Sequence, residues 1–381
     1  MTVRLQPLLF VVLAALACQS THAASSVPAA PLPTKSSAIT LGRPEPVPIA
    51  FVYRDRVNES AWSASHEVAR NALVKEFGGR ISTIAVENVA TTNDADRVFA
   101  ELAARGYKVI FATDAVHAAA SAKIAGADFD VKIEQAMGTQ TLINVRTFEI
   151  RHFEQAYLAG VIAAGNSQSR KLGVVAAAPT PAALLEVNAF TLGAQSVDKW
   201  VKVELIWSGS GNNFSADSRA AERLISRGVD VLLSTNDSDA VARVAERRRQ
   251  RVIGWHVDRA AAAPRAQVAA LVLDWVPFYR LAVNESFSYF CSKGDASRGL
   301  KEGAIKIVRL GNTISGRARD TLDRAQSAFQ RGQLQVFARS RRAQMGQTVP
   351  AEHPQQDDAF RAAQKRLLPG VIVLDGARRL Q

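Results

Sequence analysis

From residue 48 onward, short runs rich in Val, Ile and Phe alternate with longer amphipathic stretches. That rhythm is the pattern of parallel strands covered by helices, so it constrains the chain to the α/β class. Strands are expected at 48–53, 81–87, 108–112, 131–136 and 144–148. Helices are expected over 60–77, from a cap at Asn93 or Asp94 to Arg105, and over 152–164. Gly165-Asn166-Ser167 breaks the chain, and a second set follows: strands at 172–177, 201–207, 229–234, 251–255 and 268–273, helices at 181–195, 215–227 and 238–249. The reading is two similar α/β halves. Beyond them, strands are expected at 303–308, 334–338 and 371–374, and helices at 317–331 and 357–367.

The chain has 381 residues, 48% of them apolar and 22% charged, which fits two globular domains and excludes wholesale disorder. Two cysteines, Cys18 and Cys291, are too few for a disulfide framework and lack the paired spacing of a structural zinc site, so no metal and no cofactor are expected. The net charge of +12 is spread along the sequence. Its one tight run, Arg247, Arg248, Arg249 and Arg251, reads as a solvated helix face, and nucleic acid is not an expected partner.

Residues 1–23 read as a secretory signal: Arg4, an apolar stretch over 8–17, and the small-residue cleavage site Thr21-His22-Ala23. The stretch is too short to span a bilayer. A competing route exists, because 13–18 resembles a lipoprotein signal that would lipidate Cys18, although Ala15 stands where leucine is usual. Residues 24–47, with Pro28, Pro31, Pro33, Pro44 and Pro46, read as a tether. The mature protein is expected outside the cytoplasm.

In open α/β sheets, ligands sit beyond the carboxyl ends of the strands. Those places hold residues 54–62, Thr113-Asp114, residues 208–214, Asn236-Asp237-Ser238, His256-Val257-Asp258 and Asp274-Trp275. They concentrate amides, carboxylates and aromatics, which suit the faces and donor–acceptor edges of a heteroaromatic ring. Each has a plainer reading: Asn236, Asp237 or Ser238 as a helix cap, Trp62 and Trp275 as core packing, His256 as a hydrogen-bonded neutral histidine. An enzyme would draw on Asp237, His256 and Asp258 for acid–base work. No Gly-x-Ser-x-Gly, Walker or His-Glu-x-x-His motif supports one, and binding without chemistry is expected.

The sequence resembles the basic membrane protein, or purine nucleoside receptor-like, family of ABC-importer solute-binding proteins. Asn58-Glu59-Ser60-Ala61-Trp62 with His66, the stretch 151–160, Asn188-Ala189-Phe190-Thr191-Leu192-Gly193-Ala194 and Asn236-Asp237-Ser238 carry the resemblance, which runs over 49–278. It implies a type I periplasmic binding fold, two Rossmann-like lobes joined by three crossovers around a ligand cleft. One lobe is expected to hold 48–165 and about 276–305, the other 166–275 and part of 306–381, with the first crossing near 165–170.

The resemblance further implies a purine base or nucleoside as ligand, an inner-membrane ABC permease as partner, and a monomer. The ligand-binding residues it implies are Asn58, Trp62, Asn188, Phe214, Asn236, Asp237, His256, Asp258, Asp274 and Trp275, with Asp237 foremost. His256 stands where the family has the first aspartate of Gly-x-Asp-x-Asp, and 213–216 replaces Trp-Phe-Asp-Pro. A receptor for a membrane signalling protein, or a degenerate member with another ligand, are the alternatives.

Overall fold

Two mainly parallel sheets organise the chain in the computed structural model, which describes residues 45–288, 294–337, 341–342, 348–349 and 365–374. The expected signal, Cys18, the proline-rich stretch up to Pro44, Cys291 and most of the 357–367 helix lie outside those residues. The first sheet contains β1 (Val47–Val52), β2 (Ile81–Val86), β3 (Val109–Ala112), β4 (Lys132–Ala136), β5 (Val145–Ile150) and β11 (Asp295–Arg298). Their order is β11-β5-β4-β3-β1-β2.

The second sheet contains β6 (Lys171–Ala176), β7 (Lys202–Trp207), β8 (Val231–Ser234), β9 (Arg251–His256), β10 (Gln267–Leu273), β12 (Ile305–Val308) and β15 (Val371–Val373). Their order is β12-β10-β9-β8-β6-β7-β15, with β12 antiparallel to β10. A short antiparallel pair, β13 (Arg341–Arg342) and β14 (Thr348–Val349), stands apart from both sheets.

Why these runs become parallel strands is visible in β1 and β6. Ile49 to Val52 and Leu172 to Ala176 are wholly buried, because helices cover both sheet faces and an alternating pattern would leave polar groups in the core. The covering helices are α1 (Ala61–Phe77), α2 (Thr92–Ala104), α3 (Ala118–Ala127), α4 (His152–Asn166), α5 (Pro181–Val197), α6 (Phe214–Ser226), α7 (Ala240–Arg248), α8 (Val276–Ser286) and α9 (Gly316–Gln330). The chain crosses between sheets three times: after β5, after β10 and after β11.

The first crossing departs from the sequence reading near 165–170. Helix α4 already lies on the second sheet, where the Gln155 side chain donates to the Leu271 carbonyl at 2.8 Å. Its backbone meets α5 closely at two glycines. A Cβ on Gly160 would overlap the Phe190 carbonyl, and one on Gly193 would overlap the Tyr157 carbonyl. The crossing therefore occurs at Arg151, whose guanidinium bonds Glu154 at 2.6 Å and Glu302, on the third crossing, at 2.7 Å.

Other local differences have plain causes. Thr91, not Asn93 or Asp94, caps α2, its hydroxyl accepting from the Asp94 N–H at 3.1 Å. Helices α3 and α8 were not expected: α3 is alanine-rich with little polar alternation, and α8 begins at Val276-Pro277, a dipeptide that reads as a turn. Residues 334–337 form no strand, and Val336 and Phe337 are core residues there, with Phe337 against Phe153. Residues 365–367 are not helical.

Candidate functional site

The first helix and the loop after β8 build the centre of the site. Ser60 caps α1, accepting from the Ser63 N–H, so the free N–H groups of the first turn point away from the helix. From the other lobe, Asp237 meets them: its carboxylate accepts the Trp62 N–H and the Ser60 hydroxyl, each at 3.1 Å. Asn212 adds a bond to the Glu59 carbonyl at 3.3 Å. The lobes are thus closed onto each other. Asp237 has its carboxyl pushed above the ordinary aspartate range by burial, which outweighs the two bonds and the nearby Arg259.

This bridge divides the interlobe space into two cavities that share Asp237. The smaller, about 280 Å³, lies over the carboxyl ends of β1, β3 and β4 on one side and of β6, β8 and β9 on the other. Trp62, Arg54, Asp55 and Asp114 reach it from the first lobe, and Asn236, His256 and Glu186 from the second. Arg54 stands 3.9 Å from Asp55 and 4.0 Å from Asp114, so one cation is shared by two carboxylates. The walls are acidic on balance.

Trp62 and His256 form its floor, with His66 and His152 packed against them. Trp62 meets His256 edge-on at 5.6 Å and His66 at 4.8 Å, and its indole N–H donates to the Thr113 carbonyl at 2.7 Å. His152 lies 5.1 Å from His256. Burial keeps all three histidines neutral, lowering His152 to about 4 and His66 and His256 well below the usual range. His256 takes a left-handed backbone conformation, φ 63°, and neither of its ring nitrogens, both sealed from solvent, has a hydrogen-bond partner among the described residues. The expectation of a hydrogen-bonded histidine is therefore corrected.

The larger cavity, about 670 Å³, holds Asn58, Phe214 and Asp258. Phe214 opens α6 and is exposed, whereas Asp258 is engaged by Arg309 and by Gln267, the latter at 2.7 Å. Arg259 lies on the same wall and donates to the Asp237 carbonyl at 2.8 Å.

The structure thus brings Trp62, Asn236, Asp237 and His256 into one cavity and Asn58, Phe214, Asp237 and Asp258 into the other. Asn236 spends its amide on Ser208 at 2.9 Å and Asp217 at 2.7 Å, which fixes the loop that carries Asp237. None of Asn236, Asp237 or Ser238 caps α7, whose N-cap is Asp239.

Three expected contacts lie elsewhere. Asn188 is fully buried and binds Arg366 and Leu368 of the C-terminal segment. Asp274 accepts the Val276 N–H at the start of α8 and pairs with Lys306. Trp275 lies beneath the site, stacked on His66 at 4.4 Å and donating to Ser65. Sequence reasoning missed Glu186, whose one signal was being the sole charged residue of α5.

The model for PnrA-like ABC transporter substrate-binding proteins matches residues 47–335. The chain belongs to this family. A purine-binding protein of Brucella abortus (strain 2308) is 31% identical over 77% of this chain and 83% of its own length. A Haloferax volcanii protein provisionally named an ABC transporter glucose-binding protein is 27% identical over 78% of this chain and 75% of its own. An ABC transporter solute-binding protein from Aeropyrum pernix K1 shares the fold, with TM-score 0.67, 15% identity, and coverage of 84% of this chain and 100% of its own. PnrA-like proteins are extracytoplasmic binding components that deliver a small solute to an ABC permease and transform nothing. Among the described residues no helix is long and apolar enough to cross a membrane.

Proposed function

We propose that this PnrA-like protein captures a purine base or nucleoside outside the cytoplasm and presents it, as a monomer, to its permease. The small interlobe cavity carries the reading. Its 280 Å³ lies near the lower end of the roughly 300–1,000 Å³ usual for small-molecule sites, which suits one heterocycle. The Trp62 ring, set edge-on beside the His256 ring, favours a flat ligand over a fully hydroxylated one. The Brucella relative's name agrees, and the Haloferax name supplies the competitor to test, glucose.

Export follows cleavage near Ala23, with lipidation of Cys18 as the competing route; the mass of the mature N-terminus separates them. Thermal melts against purine bases, nucleosides, glucose and amino acids test the ligand. Saturation at 100 times Kd stabilises by about 2.7 kcal/mol, a shift of a few degrees for a chain this size. A shift with glucose and none with any purine would replace the reading.

A further inference from the structure

In the closed protein Asp237, the residue that family resemblance puts foremost for the ligand, has both carboxylate oxygens committed to the first turn of α1. What remains uncommitted in the small cavity is a different pair. The half-buried Glu186 carboxyl, which lines the cavity, has no hydrogen-bond or ion-pair partner among the described residues, and both His256 nitrogens are buried without one. Buried polar groups are almost always paired, because leaving them dry forfeits their hydration without return. An unpaired buried imidazole and an unpartnered carboxyl on one cavity mark where a ligand's polar atoms belong.

We propose that Glu186 and His256 read the hydrogen-bonding edge of the ligand, while Asp237 acts as the latch that joins the lobes. The pair sits on one lobe, Glu186 from α5 and His256 from the end of β9, so the ligand docks there before closure. Closure then brings the Trp62 ring over it.

The chemistry narrows the ligand. A carboxyl and a neutral imidazole complement a heterocycle that offers an N–H donor beside a ring-nitrogen or carbonyl acceptor. Asp55, Asp114 and Asp237 against Arg54 repel an added phosphate, so the class is the unphosphorylated base or nucleoside, not the nucleotide. The left-handed backbone at His256 fits this role, since a non-glycine residue held there aims its ring at a cost that a ligand contact recovers. This assignment rests on the purine reading.

Isothermal titration with adenine, guanine, adenosine and adenosine monophosphate tests it on the wild type and on Glu186→Leu, Glu186→Gln, His256→Phe and Asp237→Asn. The best purine should lose at least tenfold in affinity in Glu186→Leu and in His256→Phe, with Glu186→Gln partly restored and the monophosphate bound at least tenfold more weakly than its nucleoside. Cooperative melting of the ligand-free Glu186 and His256 variants, at or above the wild-type temperature, certifies their fold. Asp237→Asn should instead expand the ligand-free protein in small-angle scattering. Purine binding that survives Glu186→Leu and His256→Phe within twofold, and is abolished in Asp237→Asn, overturns the assignment alone. No purine binding by the wild type overturns the ligand reading and this assignment with it.

Discussion

Asp237, after β8 of one lobe, accepts the backbone N–H of Trp62, in the first turn of α1 in the other, at 3.1 Å. The contact places an anion on a helix N-terminus, where unpaired N–H groups and the helix dipole both favour it. The protein therefore fills its own anion site when it closes. Hydrogen bonds to a charged group are each worth about 1.5–3 kcal/mol, but burial of the carboxyl offsets part of that. Asp237→Ala should thus shift the ligand-free closed-to-open equilibrium by about 1–2 kcal/mol towards open. Small-angle scattering should record a larger radius of gyration; an unchanged radius rules out the latch.

Glu186 gives a pH signature. Burial pushes its carboxyl up to about 8 from the ordinary 4.5, so the native state holds a proton that the unfolded state has released. Stability is accordingly undiminished below about pH 4.5 and falls as pH rises through the folded value near 8. Glu186→Gln removes the loss. Melts should show equal stability of variant and wild type near pH 4.5 and, near pH 9, a gain on the order of 2 kcal/mol once solvent access to the cavity is discounted. A variant no more stable at pH 9 than wild type would show that the carboxyl is compensated.

The three histidines act in the opposite direction. His152, held near 4, and His66 and His256, held lower still, are neutral in the native state and charge in the unfolded one. Their neutral burial costs nothing above about pH 6.5, and stability drops as pH falls from there through about 4. For His152 alone the loss approaches about 3 kcal/mol. His152→Gln should flatten the acid limb of a melting-temperature profile between those limits while leaving it unchanged at pH 7.5. An identical acid limb would place the loss on other groups.

The sequence pattern carried the fold further than the site. β-branched runs and glycine stops located the strands because covered parallel strands admit little but apolar residues. Strand-end loops likewise pointed to Trp62, Asp237 and His256. What could not be seen depends on distant chain. Asn188 is occupied by residues 178 and 180 positions away, and Asp258 by Arg309, 51 away, so neither engagement has a local signal. Glu186 reads in the sequence as an ordinary acidic residue near a helix start; only the placement of the first turns of α5 at the cavity turns it into the site. Trp275 has the composition of a ligand platform, but the unexpected α8 that follows it draws it beneath the floor.

Gly160 and Gly193 supply the remaining test, because α4 and α5 form the rigid body on which Glu186 stands. Each glycine's missing Cβ leaves room for the other helix's carbonyl, at Phe190 and at Tyr157, and backbone cannot rotate aside as a side chain can. Gly160→Ala must separate the helices and loosen the buried Leu158, Val161, Leu185 and Phe190 around them. Overpacking in a core costs about 1–3 kcal/mol when side chains can yield, so with backbone opposed the loss should reach about 3 kcal/mol or more. Gly126→Ala, on α3 with open space around the added methyl, should be nearly neutral or slightly stabilising. Urea titration of the two variants separates close helix approach from helix propensity: equal midpoints would deny any role to the approach, whereas a large loss confined to Gly160→Ala establishes it.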